Sequence, residues 1–414
     1  MTSPAWTFLP DLLEEHLEEI QFLWPIRDQG LRSPHMTMRD IRNFEDRIDA
    51  HADGALVPGG NAFPFIDPLL EADDRHAAFA AAFVLLRFGT EPAVARIRNA
   101  LPGAKGERLT GIARAVQMGR PGALLDDVGA MFRNDDPMLA AVAAEILCYH
   151  VRWKGSRDRL IDGRVNDFLS HEDPAVKRTG WRIVANLAIP VEPKRYAAAI
   201  RDDDAGVRES ALAAAAWSGV AGVLTIARAA ASTPSRDHIA AYRLLAALGE
   251  PGDLATVQAL VASPALGADR FALAASFGHP SLAPLLLEML TSDEKRTAIA
   301  AGEAFARLTG ADLGPGEHVT LPAEGGGEPD AFDEEFLDTG TLPDPAKARA
   351  HWDRVATTLG GLTRIAHGRD VSGAIPADAP SWLDMQSRYE YWMRARFRGT
   401  WGGTPMQLDV FPQR

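Results

Sequence analysis

The chain has 414 residues, which allows two or three domains at roughly 150 residues each and a substantial buried core. With 46% hydrophobic and 24% charged residues, the composition is that of a globular protein and excludes a wholly disordered chain. The net charge of −13 argues against a surface built to neutralise nucleic-acid phosphates. We therefore expect no nucleic-acid partner.

A single cysteine, Cys148, excludes an internal disulfide and any zinc site built on two thiolates. It lies in an apolar helical run, so a buried and inert thiol is expected. The first residues show no basic run before an apolar stretch, and no window approaches the ~18 apolar residues that a membrane-spanning helix needs. These features predict a cytoplasmic protein without membrane insertion.

Residues 1–70 are predicted to form an N-terminal helical hairpin. In the first helix, apolar residues recur at spacings of three and four up to Trp24, which places them on one face. Pro25 is expected to kink or stop this helix. The second helix is expected to begin at Thr37, whose hydroxyl can cap it together with Asp40 three residues on. Because the hairpin is too small to bury its apolar face alone, it should dock on the neighbouring helices from residue 71 onward.

Residues 71–312 repeat one pattern, an alanine-rich amphipathic segment that ends in glycine. Each interval of about 30 residues has room for two helices of about 11–12 residues, which is typical of a solenoid. Glycine is expected there because the position after a helix often needs a left-handed backbone. The pattern predicts about eight stacked helix pairs. The recurring glycines are Gly89, Gly119, Gly219, Gly249, Gly278 and Gly310.

Acidic residues open several of the predicted helices and complement the helix dipole. These entries lie at residues 134–137, 172–174 and 202–204. Together with the alanine-rich helices and the Leu-Gly exits, they resemble HEAT-type repeats, especially the short form of bilin-lyase-like proteins. The resemblance implies an all-α fold, a HEAT-like α-solenoid.

Further segments are similar to an uncharacterised bacterial HEAT-repeat family that is often encoded beside type VI secretion components. That resemblance implies a role in the assembly or effector loading of such a system, and it supplies no catalytic residues. The segments lie at residues 12–17, 22–24, 31–34, 47–51 and 342–345, with Trp352 downstream.

Residues 313–345 are predicted to be an acidic linker, because the chain from Leu308 to Ala346 has ten acidic residues, no Lys or Arg, and a glycine triplet. Residues 346–414 are predicted to be a C-terminal helical region. Its helices are expected around 347–359 and from Ser381, which can cap the second one. The end, residues 406–411, is expected to be a short strand or an extended docking tail.

Candidate chemical groups give no catalytic residue, metal site or cofactor. His171 belongs to a single His-Glu dyad, whereas the iron-binding HEAT-repeat hydroxylases use several, so a helix entry is expected. His16, His35 and His51 could approach one another, but their spacing places no two of them on one helix face. The three acids at 202–204 are adjacent, whereas a calcium-binding loop places its oxygen ligands at alternate positions. Phosphate-binding glycine motifs and a nucleophile elbow are missing from the sequence.

Cations alternate with aromatic residues near the C-terminus, which is typical of base-stacking surfaces and of protein hot spots. The negative net charge favours a protein partner. The alternative is that Tyr389 and Trp392 pack this helix onto the repeats while the arginines face water or the acidic linker. The predicted partner-binding residues are Arg388, Tyr391, Trp392, Arg394, Arg396, Arg398 and Trp401.

The function expected from these features is a non-catalytic protein-interaction scaffold or adaptor, because stacked repeats present long faces to other proteins. The alternative is a helical-repeat enzyme, bilin-lyase-like or DNA-glycosylase-like. A cleft with a buried carboxylate beside aromatics and arginines would favour the enzyme, and a smooth face would favour the scaffold.

Overall fold

The computed structural model describes residues 9–150, 164–314, 316–321 and 338–409, and helices dominate them. The first twelve helices are α1 (Pro10–Gly30), α2 (Met38–Leu56), α3 (Phe63–Glu71), α4 (Arg75–Phe88), α5 (Glu91–Ala100), α6 (Gly106–Met118), α7 (Leu124–Met131), α8 (Pro137–Tyr149), α9 (Arg164–Leu169), α10 (Pro174–Leu187), α11 (Pro193–Ala199) and α12 (Ala205–Trp217). The others are α13 (Gly222–Ala230), α14 (Ile239–Leu248), α15 (Leu254–Ala262), α16 (Arg270–Phe277), α17 (Ala283–Met289), α18 (Lys295–Thr309), α19 (Pro345–Leu359), α20 (Met385–Phe397) and α21 (Met406–Asp409).

Among the described residues, four short strands form two antiparallel hairpins. The strands are β1 (His318–Thr320), β2 (Thr339–Thr341), β3 (Ile365–Ala366) and β4 (Arg369–Asp370). Short 3-10 helices lie at Gly59–Ala62, Leu101–Gly103, Arg236–His238, Pro251–Asp253, Pro264–Leu266, Pro280–Leu282 and Ala379–Ser381.

Aspartate side chains begin several helices, as the acidic entries predict. The carboxylates of Asp136, Asp173 and Asp204 accept hydrogen bonds from backbone N–H groups in the first turns of α8, α10 and α12. Each bond satisfies a donor that the helix itself leaves unpaired. Thr37 and Asp40 form the predicted capping box at the start of α2. The local sequence therefore sets where these helices begin.

The chain divides into two compact units. Unit 1 comprises Met1–Ser218 with Gly402–Arg414, and unit 2 comprises Gly219–Trp401. Helices α1–α12 and α21 thus belong to unit 1, and α13–α20 with the four strands belong to unit 2. The boundary lies inside the range 71–312, and the division into four segments expected from the sequence stays a prediction.

Within the described ranges, helices α3–α18 can be grouped along the chain into eight successive pairs, five in unit 1 and three in unit 2. In unit 1, the second helices of neighbouring pairs contact one another in order, from α4 through α6, α8 and α10 to α12. In unit 2, α14 contacts α16, and α16 contacts α18, while α13, α15 and α17 pack on their partners. The described fold is therefore all-α and built of HEAT-like helical repeats, which confirms the predicted fold class. Among the described helices, none combines the length and the apolarity needed to cross a membrane.

The N-terminal hairpin docks on the first repeat, as expected. Helices α1 and α2 contact each other, and both contact α4. Trp24 stacks on Phe79 of α4 with ring centroids 3.8 Å apart. The helix continues through Pro25 to Gly30, so Pro25 does not stop it and that part of the expectation is wrong. A kink at Pro25 stays a prediction.

The recurring glycines end helices in two different ways. Gly89, Gly278 and Gly310 have positive φ values of 62°, 74° and 74° directly after a helix, as predicted. Gly219 also has a positive φ, two residues beyond Trp217, the last residue of α12. Gly119 and Gly249 leave their helices in an extended conformation instead, so the prediction of a left-handed backbone is wrong there. In both cases a proline lies two residues later, and it favours extended backbone at the residue between them, Arg120 or Glu250.

The predicted acidic linker is described only at its two ends, since residues 322–337 with the glycine triplet lie outside the described residues. The ends pair as the β1–β2 hairpin, with His318 opposite Thr341. The following helix, α19, confirms the one expected around 347–359. At the C-terminus, Met406–Asp409 is helical, so the expected strand is wrong over those residues, and residues 410–411 lie outside the described range.

Candidate partner-binding site

The predicted partner-binding residues lie on α20 and the turn after it, in unit 2. The helix begins after Asp384, whose carboxylate accepts from the backbone N–H of Ser387. Ser381, the cap expected from the sequence, instead ends the preceding 3-10 turn. The seven residues then separate into a buried group and a surface group.

Tyr391 and Arg394 form the buried group, with 7% and 5% of their surface exposed. The Tyr391 ring belongs to an apolar cluster with Val371 and Leu383, and its hydroxyl donates to the Val371 carbonyl. Arg394 stacks on the Tyr391 ring at 4.4 Å and donates to the same carbonyl at 3.2 Å. Burial raises the pKa of Tyr391 to about 12, so its hydroxyl is a donor at neutral pH. These two side chains therefore hold α20 inside unit 2.

The surface group comprises Arg388, Trp392, Arg396 and Trp401, all half-buried, and the exposed Arg398. Arg388, Trp392 and Arg396 follow one another at spacings of four residues and so share one stripe of the helix. After α20 the chain turns back, and the backbone N–H of Trp401 donates to the Ala395 carbonyl at 3.2 Å. This turn places Trp401 against Trp392, with ring centroids 4.7 Å apart and planes inclined by 43°. We call these five residues the arginine–tryptophan surface.

A buried charge cluster fixes the inner side of α20. The Arg307 side chain is 6% exposed and donates to Glu390 at 2.8 Å and to Ser387 at 2.9 Å. Asp384, 3% exposed, lies 3.4 Å from the Arg307 guanidinium and accepts from His367 Nε2 at 2.8 Å. Burial by itself would raise the pKa of Asp384, but the His367 hydrogen bond and the Arg307 charge lower it overall. The cluster is therefore charged and hydrogen-bonded at neutral pH.

The β3–β4 hairpin caps the ends of two repeat helices. Its turn residues, His367 and Gly368, both have positive φ, as a two-residue type I′ turn requires. Ile365 N–H donates to the Gly278 carbonyl at 2.7 Å, at the end of α16. The N–H groups of His367 and Gly368 donate to the carbonyls of Arg307 and Leu308 at 2.7 and 3.1 Å, at the end of α18. The hairpin thus satisfies carbonyls that the helices leave unpaired.

Arg364, just before this hairpin, caps helix ends with its side chain. The residue is 8% exposed, and its guanidinium donates to the carbonyls of Ala247, Gly249 and Ser276 at 3.0, 2.8 and 3.1 Å. These carbonyls lie at the ends of α14 and α16, where the helix dipoles carry partial negative charge. Burial lowers the pKa of Arg364 well below its ordinary value. The carbonyls are thus the groups that compensate its charge.

A small cavity lies between α20, the hairpin and the repeat helices, with Arg364, Glu390, Tyr391 and Arg394 among its lining residues. These residue types match those expected of the enzyme alternative. The cavity itself is too small for a substrate, because it has room for about one water molecule. Glu390 is also engaged, since its carboxylate accepts from Arg307 and from Ser276.

The other candidate groups have structural partners. Cys148 is buried, and burial raises the pKa of its thiol well above the ordinary value. His171 accepts at Nδ1 from the Asp173 backbone N–H at 3.0 Å, in the predicted helix entry. His16 and His51 do meet, with their Nδ1 atoms 3.1 Å apart. Across the described ranges, no three His, Cys, Asp or Glu side chains are grouped so as to hold a metal ion.

Sequence reasoning missed Arg307, Arg364 and Asp384, which build the inner side of this site. Each is a single charged residue in an otherwise ordinary segment, and the contacts of Arg307 and Arg364 join them to residues far away in sequence: Arg307 and Glu390 are 83 residues apart. The only sequence pattern that indicated this site was the alternation of arginines with aromatic residues along α20.

Searches against known protein families and curated proteins found no match. Among solved structures, the X-ray structure of Escherichia coli YibA, a HEAT-like helical repeat protein, is similar to this chain. The TM-score is 0.40 and the sequence identity 16%, and the match covers 59% of this chain and 92% of YibA.

Proposed function

We propose that this chain is a non-catalytic protein-interaction scaffold and that the arginine–tryptophan surface is one of its docking sites. The observation that carries the proposal is the contact of two half-buried indoles, Trp392 on the arginine-bearing stripe of α20 and Trp401 in the turn after it. Tryptophan and arginine are the residue types that most often dominate binding energy at protein interfaces.

The construction of α20 supports this role. Buried Tyr391 and Arg394 and the Arg307 cluster fix the helix, so Trp392 is presented from a rigid support. A preordered side chain loses less conformational entropy on binding than a mobile one. The positive charge of the three arginines on this surface, of which Arg398 is exposed, favours a partner face that carries carboxylates or aromatic rings.

The partner class to test first is a type VI secretion component or an effector of that system. This choice rests on the resemblance of N-terminal segments and of residues 342–345 to a family often encoded beside such components. The choice therefore depends on a resemblance between sequences and not on any contact within the molecule.

Trp392→Ala is expected to reduce capture of the protein partner at least tenfold. A tenfold loss corresponds to about 1.4 kcal/mol, and truncation of an interface hot spot costs ~2 kcal/mol or more. The measurement is affinity capture by the full chain from cells that express a type VI secretion system, with the captured proteins quantified by mass spectrometry. Components of that system should be among the proteins lost.

The matched control is Trp352→Ala, which removes a half-buried indole from α19 in the same unit. Capture should be unchanged in this control. Equal recovery by wild-type and Trp392→Ala chains would reject the surface as a docking site. Deleting residues 381–414 is a poorer test, because it also removes Asp384 and Glu390, which hold Arg307.

A further inference from the structure

Two histidines from different helices of the N-terminal hairpin face each other through the same ring atom. His16 lies on α1 and His51 on α2, and their Nδ1 atoms are 3.1 Å apart. The ring centroids are 5.2 Å apart, so the two nitrogens approach more closely than the ring centres do. Both side chains are half-buried, and 24% of the His51 side chain is exposed. Solvent therefore reaches these two residues, which we call the histidine pair.

The separation of the two nitrogens is close to that of two ligands of one metal ion. Imidazole nitrogens bind zinc at about 2.0–2.1 Å, so two of them at a tetrahedral angle lie about 3.3 Å apart. The observed separation of 3.1 Å needs little adjustment to reach that value. Imidazole suits zinc, copper and nickel, and its neutral form, which binds the metal, predominates above about pH 7. The histidine pair thus supplies two suitable donors at a suitable distance.

Glu19 of α1 lies where a metal-bound His51 needs a hydrogen-bond acceptor. Its Oε2 is 3.9 Å from His51 Nε2, the ring nitrogen that faces away from His16 Nδ1. A ligating histidine usually donates this second N–H to a carboxylate or a carbonyl, which fixes the orientation of the ring. Without an ion, one Nδ1–H donates to the other Nδ1. With an ion, each ring carries its proton at Nε2, so binding requires only a change of tautomer.

Contacts outside the histidine pair hold α1 and α2 in place. Arg87 of α4 donates to Asp49 and Asp53 of α2 at 2.6 and 2.7 Å, on either side of the α2 histidine in the sequence. Helix α1 also packs on α4. Gly54 leaves room for the second ring, because a Cβ there would overlap the His16 imidazole. The donors are therefore positioned in advance, and removal of one imidazole should leave the hairpin folded.

We propose that His16 and His51 bind one divalent transition-metal ion of the zinc, nickel or copper class, with water at the remaining coordination positions. Among the described residues, no third His, Cys, Asp or Glu side chain joins the pair in a metal-binding group, so water completes the coordination. Structural zinc sites use four protein ligands, and a site with two should hold its ion reversibly. The ion links α1 to α2 when it is bound. This site lies in unit 1 and goes beyond the proposed docking surface of unit 2.

The test is isothermal titration calorimetry of the full chain with zinc chloride at about pH 7.5, where free imidazole is mostly neutral. Wild type should show one site that is tighter than the rest. His51→Ala should weaken that site at least tenfold, since loss of a partner outside the ligand set already costs ~10–100-fold in metal affinity.

His76→Ala is the matched control, because it removes a half-buried imidazole of α4 in the same unit. Its tightest site should bind zinc as wild type does. Equal zinc affinity of wild type and His51→Ala, or an equal loss in both variants, would overturn the proposal.

Hydrogen exchange of the wild-type chain tests the site without any substitution, and so decides the matter if His51→Ala does not fold. Zinc at about ten times its Kd should slow exchange through opening of the hairpin about tenfold, around residue 16 of α1 and residue 51 of α2. Unchanged exchange in both segments rejects the metal site. Neither measurement involves Trp392, so the outcome is independent of the test of the docking surface.

Discussion

Asp384→Asn is expected to lower the free energy of unfolding of unit 2 by about 3 kcal/mol, at the lower end of the range for breaking one side of a buried ion pair. The substitution keeps the size of the side chain and removes its charge. Arg307, 6% exposed, then keeps only the Glu390 carboxylate, and His367 loses a charged acceptor. Urea denaturation, with hydrogen exchange of α20 to assign the change to unit 2, measures the effect.

The matched control is Asp378→Asn, which alters an ion pair with Arg369 whose two side chains are 61% and 53% exposed. An exposed pair of this kind contributes ~0–1 kcal/mol, so this variant should be nearly as stable as wild type. Equal effects of the two substitutions would show that the Arg307 cluster does not stabilise unit 2.

The effect of Asp384→Asn should depend on pH in a defined direction. The pKa of Asp384 is lowered in the folded chain, so its carboxylate stabilises the fold fully above the unfolded-state pKa of about 4. The contribution is lost as the pH falls through the lowered folded-state pKa. The stability difference between wild type and Asp384→Asn should therefore be constant from about pH 6 to 8 and shrink below about pH 4. A difference that grew on acidification would contradict the assignment.

Gly310→Ala is expected to lower the free energy of unfolding by about 3–4 kcal/mol, because two costs add. At φ 74°, an alanine is strained by roughly 1–2 kcal/mol. A Cβ at this position would also lie 2.6 Å from the backbone oxygen of His367, so the β3–β4 hairpin would have to move. Its hydrogen bonds to the end of α18 are then lost, at ~1 kcal/mol each.

Gly89→Ala separates these two costs. Gly89 ends α4 with φ 62°, and the nearest atom to an added Cβ there is 3.8 Å away, within the same helix. This control should lose only the roughly 1–2 kcal/mol of backbone strain. Hydrogen exchange of residues 364–371 should accelerate in Gly310→Ala and stay unchanged in Gly89→Ala. If both variants lose the same stability and neither alters exchange, the hairpin does not depend on Gly310.

The division of α20 shows where sequence reasoning reached its limit at the site. The alternation of arginine with aromatic residues identified the helix but not its orientation. Tyr391 and Trp392 are neighbours of similar chemistry, yet one is buried and the other lies at the surface. Which of them turns inward depends on Val371 and Leu383, which belong to other elements.

The sequence by itself determined the features that depend on near neighbours. The caps at Thr37, Asp136, Asp173 and Asp204 bond to backbone groups within three residues, and the spacing of glycines and alanines sets the helix pairs. Only the tertiary structure decided which charges meet: Arg307 with Asp384, Arg364 with the helix ends, and Asp409 with the donors around Arg27 and Tyr149. These partners are separated by tens to hundreds of residues, and a charged side chain carries no local signal of the distant group that will compensate its burial.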